Sequence, residues 1–248
     1  MMETLVLQSH SNPLPFSWVE MCLNPVRIWS EMHAYEYRFI NDSLFELLPE
    51  NILNKTQNQK VIATDLARLL HIKKYLDRGY QRVVWLDADF MIFNPEDFNL
   101  PDIPYAVGRE VWVQEDKNKK LKVYKKVHNA FLMFSQNNSF LDFYIETAER
   151  FILNNTGTMP PQFIGPKLLT ALHNICNLPV METAGMLSPM VIKSIISGEG
   201  MALQYFNKHS PEPIAGANLC ISSCNRQEVS ESEMVKLISV LSAKGIGE

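Results

Sequence analysis

Four apolar residues in unbroken succession, Val83, Val84, Trp85 and Leu86, constrain the fold of this chain more than any other feature. A strand with one face in water alternates apolar and polar side chains. A strand that is apolar at every position must be covered on both faces, and a parallel sheet between helices provides that cover. Yet the run Arg82–Pro95, RVVWLDADFMIFNP, holds two aspartates in its middle, Asp87 and Asp89. Any fold assigned to the chain has to account for them.

The flanking sequence alternates between strand and helix. Thr4–Ser9 reads as a first strand. Phe16–Ala34 places Trp18, Met21, Cys22, Val26 and Trp29 at helical spacing, with Pro25 marking a kink or a break. Tyr35–Ile40 reads as a second strand, and Asn41–Glu50 as a short helix capped by Asp42 or Ser43. Gln59–Gly79 is a helix with Ile62, Leu66, Leu69, Leu70 and Leu76 on its apolar face and Gly79 as its stop. Pro104–Val113 and His128–Ser135 read as further strands. Between them six lysines from Lys117 to Lys126 read as a solvated, mobile loop, with a lid over a bound ligand as the second reading. Two more helices follow. Ser139–Asn154 turns Phe140, Tyr144, Ala148 and Phe151 inward, and Pro166 opens a helix that runs to Cys176. A terminal helix places Val235, Leu237, Ile238 and Leu241 inward. The order predicts one α/β domain over residues 1–248, with a mostly parallel central sheet flanked by helices.

Composition narrows the partners. A formal net charge of −4 gives no basic excess, so nucleic acid is not expected. No stretch has the length of a membrane span, and the first residues lack the charged start and apolar run of a signal peptide. A cytoplasmic location is therefore expected, with peripheral contact the one form of membrane association left open. Cys22, Cys176, Cys220 and Cys224 read as reduced structural residues.

Ligands of parallel α/β sheets bind at the carboxyl ends of the strands, where Asp87 and Asp89 fall. Residues i and i+2 of an extended chain point to one side. Two buried carboxylates so close repel each other, and a divalent cation relieves that repulsion. Hard oxygen ligands suit Mg²⁺ or Mn²⁺, which complete their coordination with water and substrate phosphates. The chemistry that uses such an ion is departure of a diphosphate. The bland alternative is a strand-end turn whose aspartates bond to turn amides. The apolar residues Phe90, Met91, Ile92 and Phe93 that follow weigh against it.

The segment ATDLARLLHIKKYLDRGYQRVVWLDADFMIFNP resembles the signature region of GT-A fold glycosyltransferases, especially the DXD-motif sugar-binding-region and glycogenin-like groups. The matching residues are Asp65 and Arg68 on the helix and Asp87 and Asp89 after the strand. The resemblance extends loosely from Leu5 to Cys176. It implies a GT-A Rossmann-like nucleotide-diphosphosugar transferase fold and a UDP- or GDP-sugar donor, with a nucleotide-binding half over about 1–95 and a donor-sugar and acceptor half over about 96–248. It further implies a glycan or small-molecule acceptor and a retaining outcome. It places Asp87 near the ribose or the metal, Asp89 on the metal, Asp65 and Arg68 by the nucleotide or donor sugar, and Asn129 facing the donor sugar. Ser9, at the end of the first strand, joins these donor-binding candidates. His209 is offered as the third metal ligand, although KHSPEPIAGANL carries neither the glycine spacing nor the Lys-Pro of the family's late motif.

No acid or base for acceptor activation stands out. Glu110 and Glu115 are acceptor-side candidates without a distinguishing spacing, and Gln162, Gly165 and Lys167 open a helix whose N-terminus suits anions. His10, His128 and His173 read as packed or solvated. Two competing functions remain, a haloacid-dehalogenase-like phosphatase with Asp87 as nucleophile and a catalytically silent GT-A-like binding domain. A sugar-1-phosphate nucleotidyltransferase would need an early glycine-rich loop, which TLVLQSHSNPLP does not supply.

Overall fold

The computed structural model describes residues 3–246. In chain order the elements are β1 (Thr4–Ser9), α1 (Ser17–Met32), β2 (Glu36–Ile40), a 3-10 turn (Asp42–Leu47), α2 (Glu50–Thr56), α3 (Lys60–Asp77), β3 (Arg82–Leu86) and β4 (Phe90–Ile92). The long strands β5 (Tyr105–Glu115) and β6 (Leu121–Ser135) follow, then α4 (Ser139–Asn154) and α5 (Pro166–Cys176). The last part holds β7 (Val180–Met181), β8 (Ala184–Met186), α6 (Pro189–Ser197), α7 (Met201–His209), β9 (Gly216–Asn218), α8 (Ile221–Asn225) and α9 (Glu231–Lys244).

The main sheet has the order β2-β1-β3-β6-β5-β7. Strands β1, β2 and β3 are mutually parallel, β6 runs against β3, and β5 and β7 return to the common direction. The sheet is thus mostly parallel and flanked by helices, as expected from the sequence. The unbroken apolar run of β3 now has its reason. Val83 and Trp85 join the core under α2, α3, α4 and α5, while Val84 and Leu86 join the core on the other face with Val26 and Trp29 of α1. Full burial of each such side chain contributes about 1.5–3 kcal/mol. A smaller sheet, β4-β9-β8, continues directly from the turn after β3.

Several local expectations change. Helix α1 continues through Pro25 without a break, because Trp18, Cys22, Val26 and Trp29 form one buried stripe along it. Met21 lies off that stripe and is exposed, as are Phe151 on α4 and Val235 on α9. In their place, Leu141, Thr147 and Ile152 of α4 and Met234 of α9 are buried. Asn41, rather than Asp42 or Ser43, caps the 3-10 turn by accepting from the Ser43 amide at 3.2 Å.

The lysine run is not a mobile loop. Strands β5 and β6 pair continuously from Gly108–His128 out to Glu115–Leu121, and the turn between them is held by Asp116 Oδ1, which accepts from the amides of Asn118 and Lys120 at 2.8 and 3.0 Å. Val111, Val113 and Val123 pack one face of this hairpin against α6 and α7, so the lysines decorate an ordered ribbon. The register shifts between Val107 and Gly108. A Cβ at Gly108 would stand 2.1 Å from the ring of His128, so only glycine lets the strands close there.

Candidate active site

Helix α3 runs back along the sheet toward β3, which brings its first turns to the carboxyl edge. Strand β6 is reversed, so its middle, at Asn129, reaches the same edge as the end of β3. The result is a buried cluster. Arg68 Nη1 donates to the carbonyl of Asn129 at 2.6 Å and lies 3.0 Å from Asp87 Oδ1, and its Nη2 lies 3.3 Å from Asp65 Oδ1. Asn129 Nδ2 donates to Asp65 Oδ1 at 2.8 Å. The Arg68 guanidinium also sits over the indole of Trp85, at 5.5 Å. Burial would lower the Arg68 pKa, but the Asp87 and Asp65 carboxylates outweigh it and hold the guanidinium charged. Burial raises the Asp65 carboxyl, against the pull of Arg68. Asp65 and Arg68 therefore form an interior ion pair, not the exposed pair of an ordinary helix surface.

The two aspartates of the opening run lie in a tight turn rather than on an extended chain. The Phe90 amide donates to the Asp87 carbonyl at 2.9 Å, and Gln8 Nε2 holds the same carbonyl at 3.0 Å. Asp87 Oδ1 accepts from Trp85 Nε1 at 2.8 Å. Asp89 turns toward the C-terminal region: Oδ1 accepts from Asn218 Nδ2 at 2.6 Å and Oδ2 from the Ile221 amide at 2.7 Å. Burial first, and the Asp87 charge second, push the Asp89 pKa up to about 6.

Both carboxylates still border one cleft of about 640 Å³, together with Asp65, Arg68 and Asn129. That volume is in the range of small-molecule sites. Glu110 and Lys126 line it from the hairpin, Gln162 and Pro166 from the start of α5, and Asn218, Cys220 and Arg226 from the C-terminal region. Gly165 presses into the cluster; a Cβ there would stand 2.6 Å from Asp65 Oδ2 and 2.7 Å from Asn129 Nδ2. Asp65 Oδ2 is buried without a hydrogen-bond partner.

Two sequence candidates stand elsewhere. His209, offered as the third metal ligand, does not reach the cleft. It ends α7, with its ring 6.3 Å from that of Tyr205. The helical phase of Met201–His209, which buries Ala202 and Phe206, fixes it there. Ser9 ends β1 with its hydroxyl buried and unpartnered, and its neighbour Gln8 makes the contact to Asp87. Glu115 sits at the exposed hairpin end. His128 is fully buried, with Nε2 3.2 Å from the Ala184 carbonyl and the Ala130 amide donating to Nδ1 at 3.1 Å. Among the described residues no group of three or more His, Cys, Asp or Glu side chains is arranged around a metal position. Asn218 and Gln8 were invisible in the sequence, since nothing in GAN or LQS sets them apart.

No protein-family model and no curated protein sequence matches the chain. Among solved structures it is similar to a glycosyltransferase involved in the glycosylation of the major capsid of PBCV-1, at 12% identity and a TM-score of 0.48, covering 95% of this chain and 98% of that one. It is similar also to the galactosyltransferase LgtC in complex with donor and acceptor sugar analogs, at 12% identity and a TM-score of 0.44, covering 96% and 95%. A third similarity is to 4-diphosphocytidyl-2C-methyl-D-erythritol synthase from Anaerococcus prevotii, at 9% identity and a TM-score of 0.36, covering 73% and 88%. At such identities and scores, function rests on the geometry of the site.

Proposed function

We propose that this chain is a glycosyltransferase that moves a sugar from a UDP- or GDP-linked donor to a hydroxyl of a glycan or small-molecule acceptor, using Mg²⁺ or Mn²⁺. The observation that carries the reading is the buried Asp65–Arg68–Asp87–Asn129 cluster, set at the carboxyl edge of the sheet and opening, with Asp89, onto one cleft. An ion pair of this kind is costly to bury and adds little net stability, so a role in orienting a ligand explains it better than a role in folding.

The donor atoms fit a hard divalent cation. Asp87 and Asp89 offer carboxylate oxygens, and the upward shift of Asp89 marks a site where added positive charge is favourable. With two protein carboxylates, such an ion takes its remaining ligands from water and donor phosphates. When bound it supplies charge stabilisation to the departing diphosphate. The chain's own residues do the rest. Arg68 fixes Asp87 and Asp65 in place, Asn129 holds Asp65 from the opposite side, and the Asn218 side chain and Ile221 amide orient Asp89. Asp65 Oδ2, buried and unpartnered, is left to accept from a donor hydroxyl.

Incubation with UDP- and GDP-hexoses, followed by chromatography of the released nucleotide, tests the reading. Cation-dependent release by the wild type, lost in Asp87→Asn, is the expected result. Absence of release and of transfer from every donor would remove it. Retention at the anomeric carbon is the outcome that the resemblance implies, and proton NMR of the product reads it.

A further inference from the structure

The β5–β6 hairpin has two unlike faces. Val111, Val113 and Val123 bury one of them. The other carries three cross-strand pairs in sequence, Glu110–Lys126, Trp112–Tyr124 and Gln114–Lys122. Five of these six side chains, all but Lys122, line the cleft that holds the aspartates. Trp112 and Tyr124 thus stand directly opposite each other on an ordered ribbon, facing open space. Tyr124 is 41% exposed. The Trp112 indole is pinned by its Nε1, which donates to Gln114 Oε1 at 3.0 Å, and Lys126 Nζ lies 5.6 Å from the centre of the Tyr124 ring. Glu110 is buried, yet the Lys126 ammonium is 3.7 Å away, wider than a direct hydrogen bond.

Two large aromatic side chains left facing a cleft need an apolar partner, since an exposed aromatic surface gains free energy by being covered. A carboxylate and an ammonium one pair further in need polar ones. A pyranose ring meets both demands: its C–H faces cover aromatic rings, and its hydroxyls bond to charged groups at the edge. We propose that the Trp112–Tyr124 face of the hairpin is the acceptor subsite, and that the acceptor is a saccharide whose ring stacks on this pair while its hydroxyls reach Glu110 and Lys126. The assignment rests on the glycosyltransferase reading and names the substrate class of that site. Because the platform is built on paired strands and not on a loop, it is in place before the acceptor arrives.

Saturation-transfer NMR tests it with methyl α- and β-hexopyranosides, lactose, maltose and cellobiose as probes, each in the presence of UDP or GDP and the diamagnetic Mg²⁺. Transfer to the ring protons of at least one saccharide is expected in the wild type. The saccharide affinity should fall about three- to tenfold in Trp112→Ala and in Tyr124→Ala and be kept in Trp112→Phe. Nucleotide signals, read in the same samples, should be unchanged in all three. Saccharide signals absent from the wild type, or equal in the alanine variants, would overturn the proposal while a nucleotide signal leaves the donor site standing. Loss of the nucleotide signal in Trp112→Ala would assign the platform to the base and would overturn it as well. Loss of nucleotide binding in the wild type would instead remove the transferase reading beneath it.

Discussion

Arg68 Nη1 lies 3.0 Å from Asp87 Oδ1, and this contact joins the helix α3 to the turn that ends the central strand. The same guanidinium holds Asp65 and the Asn129 carbonyl, so one side chain ties three elements into the floor of the cleft. Removing it leaves two carboxylates facing each other with Asp65 deeply buried. Arg68→Leu should therefore destabilise the fold by about 3–5 kcal/mol, the usual cost of leaving a buried charge unpaired. Urea unfolding of wild type and variant measures this directly. A change below about 1 kcal/mol would mean that the pair is solvated and the cluster is not an interior one.

Gly165 tests the other side of the cluster. A Cβ at this position would stand 2.6 Å from Asp65 Oδ2 and 2.7 Å from Asn129 Nδ2. Asp65 and Asn129 must then move apart. Nucleotide-sugar affinity in Gly165→Ala should fall at least about tenfold, or about 1.4 kcal/mol. Calorimetric titration reads the affinity, and an unchanged value would place the donor away from Asp65.

His128 gives the fold a dependence on pH. Burial pushes its pKa down to about 4 from the usual value near 6.5. Above the unfolded value both states are neutral and the residue contributes nothing to the slope. As pH falls below about 6.5 the unfolded chain takes up a proton that the folded chain refuses until about pH 4. Stability therefore drops through this window, by about 2 kcal/mol at pH 5 on this group alone. Urea midpoints at about pH 7.5 and pH 5 should differ less in His128→Asn than in the wild type. Equal differences would show that His128 is charged or solvated in the fold.

The hairpin makes a prediction opposite to the one its composition invites. Amide hydrogen exchange should find the cross-strand amides of Trp112, Gln114, Lys122 and Tyr124 protected without any ligand present. Exchange at the rate of an open loop would restore a lid that orders only on binding.

How far the sequence could be read follows from where the physics is local. The central strand was legible because burial on both faces leaves a continuous apolar run, and Val83 to Leu86 do divide between two cores. Asp65 and Arg68 were singled out by the family resemblance, and their i, i+3 spacing on α3 is what lets them pair in the interior. The lysine hairpin was not. Lysines on an exposed face look alike on a loop and a ribbon, and the valines between them reveal their order only once α6 and α7 are in place. Asn218 was hidden for a similar reason. It meets Asp89 from 129 residues away, and neither residue announces the other. His209 was offered as a metal ligand from its place in KHSPEPIAGANL, whereas it closes α7 away from the cleft, where the burial of Ala202 and Phe206 sets the helix phase.

The central claim is that Asp87 and Asp89 form a cation-dependent site for a nucleotide diphosphate. Isothermal titration of UDP and of GDP, with Mn²⁺ and with a chelator in its place, on wild type and Asp87→Asn, tests it most directly. The account predicts that one nucleotide binds the wild type with Mn²⁺, and at least about tenfold more weakly under chelation or in the variant. Binding of neither nucleotide, or binding indifferent to both Mn²⁺ and Asp87, would contradict it.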